Sequence, residues 1–395
     1  MPGGWFAARE HRADLIAVAL LVCAIAGLAI KWAPNAVWTS DALFYQARVL
    51  EIRGESKDDA LREVWEGPLS ASFRAADSRR PPGTRVLADP RWVPETARLT
   101  ERRWTTPLLG AAVYPIFGVD SLEAVSVIGS LAFALLLYTL LRMRFSPLPC
   151  FAGVAACLAW PALRWAFLPL TDAWGLAIVT LTFVIAIRYL DSWSPGWVVA
   201  WVAAILVLSV TRELTLVPVM GAAAVALVHR SRQAALLAAS GMVAALPAQL
   251  LLGTSLPWTL AYAFSGNRVP GDSSWGFVFS HYPSALETGT RHSLDYLLSA
   301  NPAYLESAWP LAPFTVPLLI GLVVVVIASS DRSLDPFLPF MQGALLGGVA
   351  LFLILPVFQE LRYQYPLLPV AAAGIAIITD GIRRWVTAST EQTTV

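Results

Sequence analysis

The feature that most limits what this chain can become is the spacing of its charge. Apolar runs of roughly 16 to 22 residues follow one another, separated by short clusters of Arg, Asp and Glu. A helix crosses the hydrocarbon layer with about 20 such residues. Ten runs approach that length: 14–33, 120–141, 148–164, 172–190, 194–211, 214–229, 233–252, 312–328, 336–356 and 363–380. Only 14% of the residues are charged, against about 25% in an ordinary soluble domain, so there is too little polar surface to coat a soluble fold. A soluble enzyme, a nucleic-acid binder and a disordered protein are excluded. The net charge of +1 says nothing about partners. Cys23, Cys150 and Cys157 all lie in apolar runs and the four histidines are scattered, so neither a disulfide framework nor a metal-ligand spacing is present. The first run follows positive charge but precedes no small-residue cleavage site, and is read as a retained span.

Orientation follows from the arginines. With the N-terminus inside, the cytoplasmic segments receive Arg9 and Arg12, Arg142 and Arg144, Arg188, Arg230 and Arg232, Arg332, then Arg383 and Arg384, as the positive-inside rule requires. Thr105–Gly118 is apolar but only 14 residues long; a crossing there would invert every later loop, so it is laid along the outer surface. The expected fold is an all-α polytopic membrane protein of about ten transmembrane helices, with a large first outer loop of amphipathic helices. Its parts are a first span (1–33), an extracytoplasmic loop (34–119), spans two to seven (120–252), a second extracytoplasmic loop (253–311), spans eight to ten (312–382) and a cytoplasmic tail (383–395). Residues 34–104 hold 23 of the 55 charged residues, 12 basic and 11 acidic, the mixture of a folded subdomain rather than a polybasic tail. The second loop is rich in aromatics: Trp258, Tyr262, Phe264, Trp275, Phe277, Phe279 and Tyr282. Such rings either anchor at the headgroup level or stack on sugar rings, and anchoring is the favoured reading.

The span centres lack ionisable residues, which disfavours an ion-coupled transporter. Acid and base collect instead in the outer connections: Asp41 after span one, Arg164 and Asp172 around the third turn, Arg212 and Glu213 in VTREL, and Glu360 and Arg362 in FQELRYQYP. That depth suits a substrate whose lipid tail lies in the bilayer and whose polar head sits at the interface. WTSDALFYQARVLEIRG reads as a helix with Thr39 or Ser40 as N-cap and Gly54 as terminator, its apolar stripe Leu43, Ala47 and Leu50. Asp41 then lies in the first turn, where the helix dipole favours an ionised carboxylate, either satisfying backbone donors or serving as a general base.

The order of a first span, an outward Asp in SDALFYQARVL, amphipathic outer helices, the interfacial RRWTTPLLGAAVYPIFG and a closing LRYQYPLLPVAAAGIAI resembles the GT-C superfamily of integral-membrane glycosyltransferases, such as the protein O-mannosyltransferases and the lipid A aminoarabinose transferases. The resemblance implies transfer of a sugar, usually with inversion, from a polyprenyl-phosphate carrier to a glycan, lipid or protein acceptor at the outer face, with Asp41 as base. Many members carry Asp-Glu where this chain has Asp41 and Ala42. From the chemistry alone, a departing lipid phosphate needs positive charge, and arginine's fork suits phosphate oxygens. Arg212 and Arg362 are the foremost candidates, equally readable as headgroup contacts or ion-pair partners, with Tyr363 as a donor; Arg79 and Arg80 are a looser pair, for which the headgroup or ion-pair reading is favoured. Asp172 is a candidate second acid, orienting the acceptor or holding a divalent ion, and otherwise a helix cap; Glu213 adjoins Arg212 and is placed to neutralise it. No cofactor or metal is required, membrane lipids are expected partners, nucleic acid is not, and the expected location is a bacterial plasma membrane with both termini cytoplasmic. The competing readings are a flippase for a lipid-linked saccharide, which would want polar spans or a symmetric repeat, and a non-catalytic scaffold, which would not gather acid and base at one depth.

Overall fold

A computed structural model describes residues 3–32, 38–81, 85–101, 103–251, 256–266, 268–297, 312–329, 335–356 and 362–393. Among the described residues every regular element is helical. In chain order these are α1 (Gly3–Trp32), α2 (Ser40–Ile52), α3 (Lys57–Glu66), α4 (Ala71–Ser78), α5 (Trp92–Thr100), α6 (Thr105–Phe117), α7 (Ser121–Arg142), α8 (Pro147–Ala159) and α9 (Asp172–Ser192). Then follow α10 (Pro195–Ser209), α11 (Leu216–His229), α12 (Arg232–Leu251), α13 (Leu256–Phe264), α14 (Trp275–Leu297), α15 (Ala312–Ile327), α16 (Phe337–Ile354) and α17 (Leu368–Thr393). Short 3₁₀ turns at Pro161–Phe167 and Arg362–Leu367 lead into α9 and α17.

Each of the ten apolar runs falls on a helix of the bundle, but the helices differ in reach. Among the described residues five stretches are long and apolar enough to cross a membrane: Glu10–Trp32, Thr105–Arg142, Asp172–Ser192, Phe337–Ile354 and Tyr365–Ser389. The helices at Pro147–Ala159, Pro195–Ser209, Leu216–His229, Arg232–Leu246 and Thr315–Ile327 are apolar but shorter. The 38-residue stretch Thr105–Arg142 is two helices rather than one rod. Gly118 takes φ +56° between α6 and α7, and Gly110 sits directly against Leu122. Twelve residues of straight helix would separate those two by about 18 Å, so the chain folds back on itself there.

In the bundle α11 packs on α16, α7 on α9, and α17 on both α8 and α15. The α11–α16 contact is made by small residues. A Cβ on Gly343 would fall 2.4 Å from the Met220 carbonyl, and one on Gly347 would fall 2.9 Å from that of Leu216. Backbones that approach so closely gain dispersion contacts where apolar surroundings offer no hydrophobic drive.

Helices α2 to α5 form a second, smaller core that caps one end of the bundle. Thr39 is the N-cap of α2, its hydroxyl accepting from the Ala42 amide at 3.4 Å, and Gly54 at φ +109° ends the element. One face of α2 buries Leu43, Phe44, Ala47 and Leu50 against Ala60, Val64, Trp65 and Trp92. Phe44 meets Trp65 at 5.0 Å between ring centroids, and Trp65 meets Trp92 edge-on at 5.5 Å. Another face carries Ala42, Tyr45 and Val49 onto Leu122 and Leu170 of the bundle. Arg48 lies over the Trp104 ring at 4.0 Å and Arg53 over Tyr114 at 4.2 Å, so α2 and α6 run side by side in the same direction. The helix that bears Asp41 is therefore held from both sides.

Candidate functional site

The site assembles where the cap meets the bundle, and three consecutive residues at the start of α6 fasten it. Arg103 pairs with Glu213 at 3.3 Å, the Trp104 amide donates to the Val210 carbonyl at 2.8 Å, and the hydroxyls of Thr105 and Thr211 lie 2.6 Å apart. Segment 103–105 is thus laced to the turn between α10 and α11.

Tyr45 is the hub. Its hydroxyl accepts from Arg103 Nη1 at 2.8 Å and lies 3.5 Å from Thr171 Oγ1. Thr171 Oγ1 in turn accepts from Arg212 Nη1 at 3.1 Å. Arg212 Nη2 stands 3.3 Å from Asp172 Oδ1, with the two side chains only 2% and 1% exposed. Four connections far apart in sequence therefore meet around one phenol: the start of α2, the lead into α6, the start of α9 and the turn before α11.

Asp41 sits one turn before Tyr45 on α2 and is half-buried. Burial drives the Tyr45 phenol above its ordinary pKa; the Arg103 and Arg212 guanidiniums oppose that shift, and the negative charge of Asp41 adds to it. Tyr262 on α13 lies within reach of the same carboxylate. Burial pushes it up to about 12, Asp41 contributing, while contacts from Thr96 and Trp92 pull the other way. The Thr96 hydroxyl donates to the Tyr262 hydroxyl at 3.4 Å. The charge of Asp41 is thus felt by two buried tyrosines, and one of them, Tyr45, also feels two guanidiniums.

The residues singled out from sequence fall into three groups. Asp41, Asp172, Arg212 and Glu213 are brought into this neighbourhood. Arg212 pairs with Asp172, and Glu213 pairs with Arg103. Arg79 and Arg80 are exposed at the end of α4, where Arg80 stands 3.8 Å from Asp77, and neither enters the Tyr45 network. Arg362 and Tyr363 open the turn before α17, and their side chains lie outside the described residues, as does Glu360. Among the described residues no group of three or more His, Cys, Asp or Glu is gathered to hold a metal ion.

Tyr45 and Arg103 were not singled out from sequence. Tyr45 is one more aromatic on a helix with an apolar stripe, and nothing local marks its hydroxyl. Arg103 did leave a signal: it ends a charge-rich stretch immediately before an apolar helix, at the depth where the other ionisable residues collect. No protein-family model matches the chain, and no curated protein matches it either.

Proposed function

We propose that this chain is a membrane-embedded glycosyltransferase that moves a sugar from a polyprenyl-phosphate carrier to an acceptor at the capped end of the bundle. The reading is supported above all by one observation: Asp41, at a helix start, shares the surroundings of Tyr45 with Arg103 and Arg212. Among the described residues five stretches long and apolar enough to cross a membrane, and an arginine in every segment assigned to the inside, support a multi-pass membrane location with the cap outside.

In this reading Asp41 takes the proton of the acceptor hydroxyl as that oxygen attacks the anomeric carbon. The bond from that carbon to the carrier phosphate breaks, and the phosphate leaves with the electron pair. General-base help of this kind contributes about 10²–10⁴ in rate. Arg212, its charge met by Asp172, acts through its field and by fixing Thr171 and Tyr45. Direct contact with the phosphate is assigned to Arg362, with Tyr363 as a hydroxyl donor. Arg103, through Glu213 and Tyr45, holds the cap in place over the bundle.

The test is transfer in reconstituted vesicles, with polyprenyl-phosphate hexoses and pentoses as donors and extracted envelope glycolipids as acceptors. Asp41→Asn is expected to insert normally, melt like the unaltered protein and transfer no sugar. Transfer by Asp41→Asn at the unaltered rate would remove the base assignment. Arg362→Ala is expected to raise the donor concentration needed for half-maximal rate; no change would place the phosphate elsewhere.

A further inference from the structure

The helices of the bundle stop at different levels at the capped end, and contacts on α16, α12 and α7 measure the step. On α16, Gly347 lies against the Leu216 carbonyl at the start of α11. From there α16 continues seven residues to Ile354, about 10 Å at the helical rise. On α12, Gly241 packs against Val219. Beyond that point α12 runs ten residues to Leu251, whereas α11 has three left, to Leu216, again a step of about 10 Å. On α7, Ser126 donates to the Leu170 carbonyl and Ser130 to that of Ala166. These serines lie five and nine residues in from Ser121, where α7 begins, so the turn before α9 sits about 8–13 Å below that helix end.

The connections bearing Thr171, Asp172, Arg212 and Glu213 therefore form the floor of a recess, with the ends of α7, α12 and α16 standing above it. Residues 103–105 are sunk to that floor, where the Trp104 amide bonds the Val210 carbonyl. Apolar surface continues to the rim: Leu346, Val349, Leu353 and Ile354 are exposed on α16 up to its last residue, so acyl chains reach that level. The Arg212–Asp172 pair on the floor is closed off, but the Arg103–Glu213 side chains are 11% and 18% exposed. Charge left open at hydrocarbon depth is costly unless it faces a water-filled space. We infer that water enters this recess from the outer surface and reaches the Arg103–Glu213 pair, about 10 Å below the level at which α16 ends. A polar ligand then comes to the charged floor from the aqueous side without crossing acyl chains. The inference rests on the multi-pass placement with the cap outside, and not on the transfer chemistry.

Hydrogen–deuterium exchange of the unaltered chain in nanodiscs reads the floor directly, because an amide exchanges only where water arrives. Peptides covering 210–215 are expected to exchange within minutes, and those covering 219–228 of α11 to stay protected for hours. Equal protection of the two would overturn the recess. A membrane-impermeant methanethiosulfonate gives the second measurement, with the unaltered chain as background. Glu213→Cys is expected to be labelled about tenfold faster than Leu206→Cys, since a thiolate must be wetted to react and Leu206, exposed on α10 just before the turn, faces acyl chains. Equal rates at the two positions, or no labelling of a Glu213→Cys protein that melts like the unaltered one, would overturn it as well. Should Glu213→Cys fail to fold, the exchange measurement decides alone. Rapid exchange at 210–215 in a chain that transfers no sugar keeps the recess and sinks the enzyme. Asp41-dependent transfer above a protected 210–215 does the reverse.

Discussion

The two ends of the bundle handle charge in different ways. At the capped end Arg212 and Asp172 are paired almost out of contact with solvent, at 2% and 1% exposure. The neighbouring Arg103–Glu213 pair joins segments 110 residues apart. At the opposite end Asp380 meets Arg383 and Arg384 within one helical turn, and the two guanidiniums are 48% and 61% exposed. Arg144 reaches Asp191 at 2.6 Å and Arg142 reaches Asp14 at 2.8 Å, the carboxylates of the two pairs partly exposed, at 35% and 28%. Removing ions from water is costly, and a buried pair gains its stability mainly by not being broken. The far-end pairs follow from having arginines near a surface. The capped-end pairs are expensive, and they are placed where four remote connections have to be held in one arrangement.

Breaking one partner should expose this difference most strongly. Asp172→Ala leaves Arg212 buried without its counter-charge and is expected to cost about 3–5 kcal/mol, measured by chemical denaturation in micelles. Tyr45→Phe removes the acceptor of Arg103 and is expected to cost about 1–3 kcal/mol, the range for a buried donor left unmet. Asp191→Ala at the far end is expected to cost under about 1 kcal/mol. High salt should shrink that far-end effect further while leaving the Asp172→Ala effect in place, because screening acts chiefly on exposed charge. An Asp191→Ala loss as large as that of Asp172→Ala would erase the distinction between the ends.

Titration sharpens the same comparison by a smaller effect. Tyr262 is raised to about 12 in the folded protein, against about 10 for a free phenol. The folded state therefore binds this proton more tightly. The stability it contributes is complete below pH 10 and is lost as the pH climbs from about 10 to 12. Over that window phenolate absorbance should rise as stability against unfolding falls, and Tyr262→Phe should flatten this part of the stability profile.

Local chemistry made part of this molecule legible from its residues. Thr39 ahead of Asp41, and Gly54 after the stripe of Leu43, Ala47 and Leu50, mark both ends of α2, because caps and stripes act within a turn or two. Apolar runs mark where bundle helices lie, and the short run from Thr105 stops at Gly118, where the chain turns. The partners of Arg212 and Glu213 were less legible. Adjacency suggests mutual neutralisation, and it gives no sign that packing brings Asp172 to Arg212 and Arg103, 110 residues from Glu213, to that carboxylate. Tyr45 was illegible because a phenol's role is set by what packs against its oxygen. The second aromatic segment shows the same limit: of two stacked pairs, Trp258–Tyr262 on α13 lies against the cap with Tyr262 buried, whereas Trp275–Phe279 on α14 is exposed.

The close contact at Gly110 has a consequence for how sequences of this kind can diverge. A Cβ there would fall 2.9 Å from the Leu122 side chain and 3.0 Å from that of Val49, so three helices compete for one small volume. A bulkier residue at 110 is admissible only where 122 or 49 is trimmed in the same step. These three positions are therefore expected to change as a set among related chains, a correlated signature of space that can be looked for without any knowledge of the substrate.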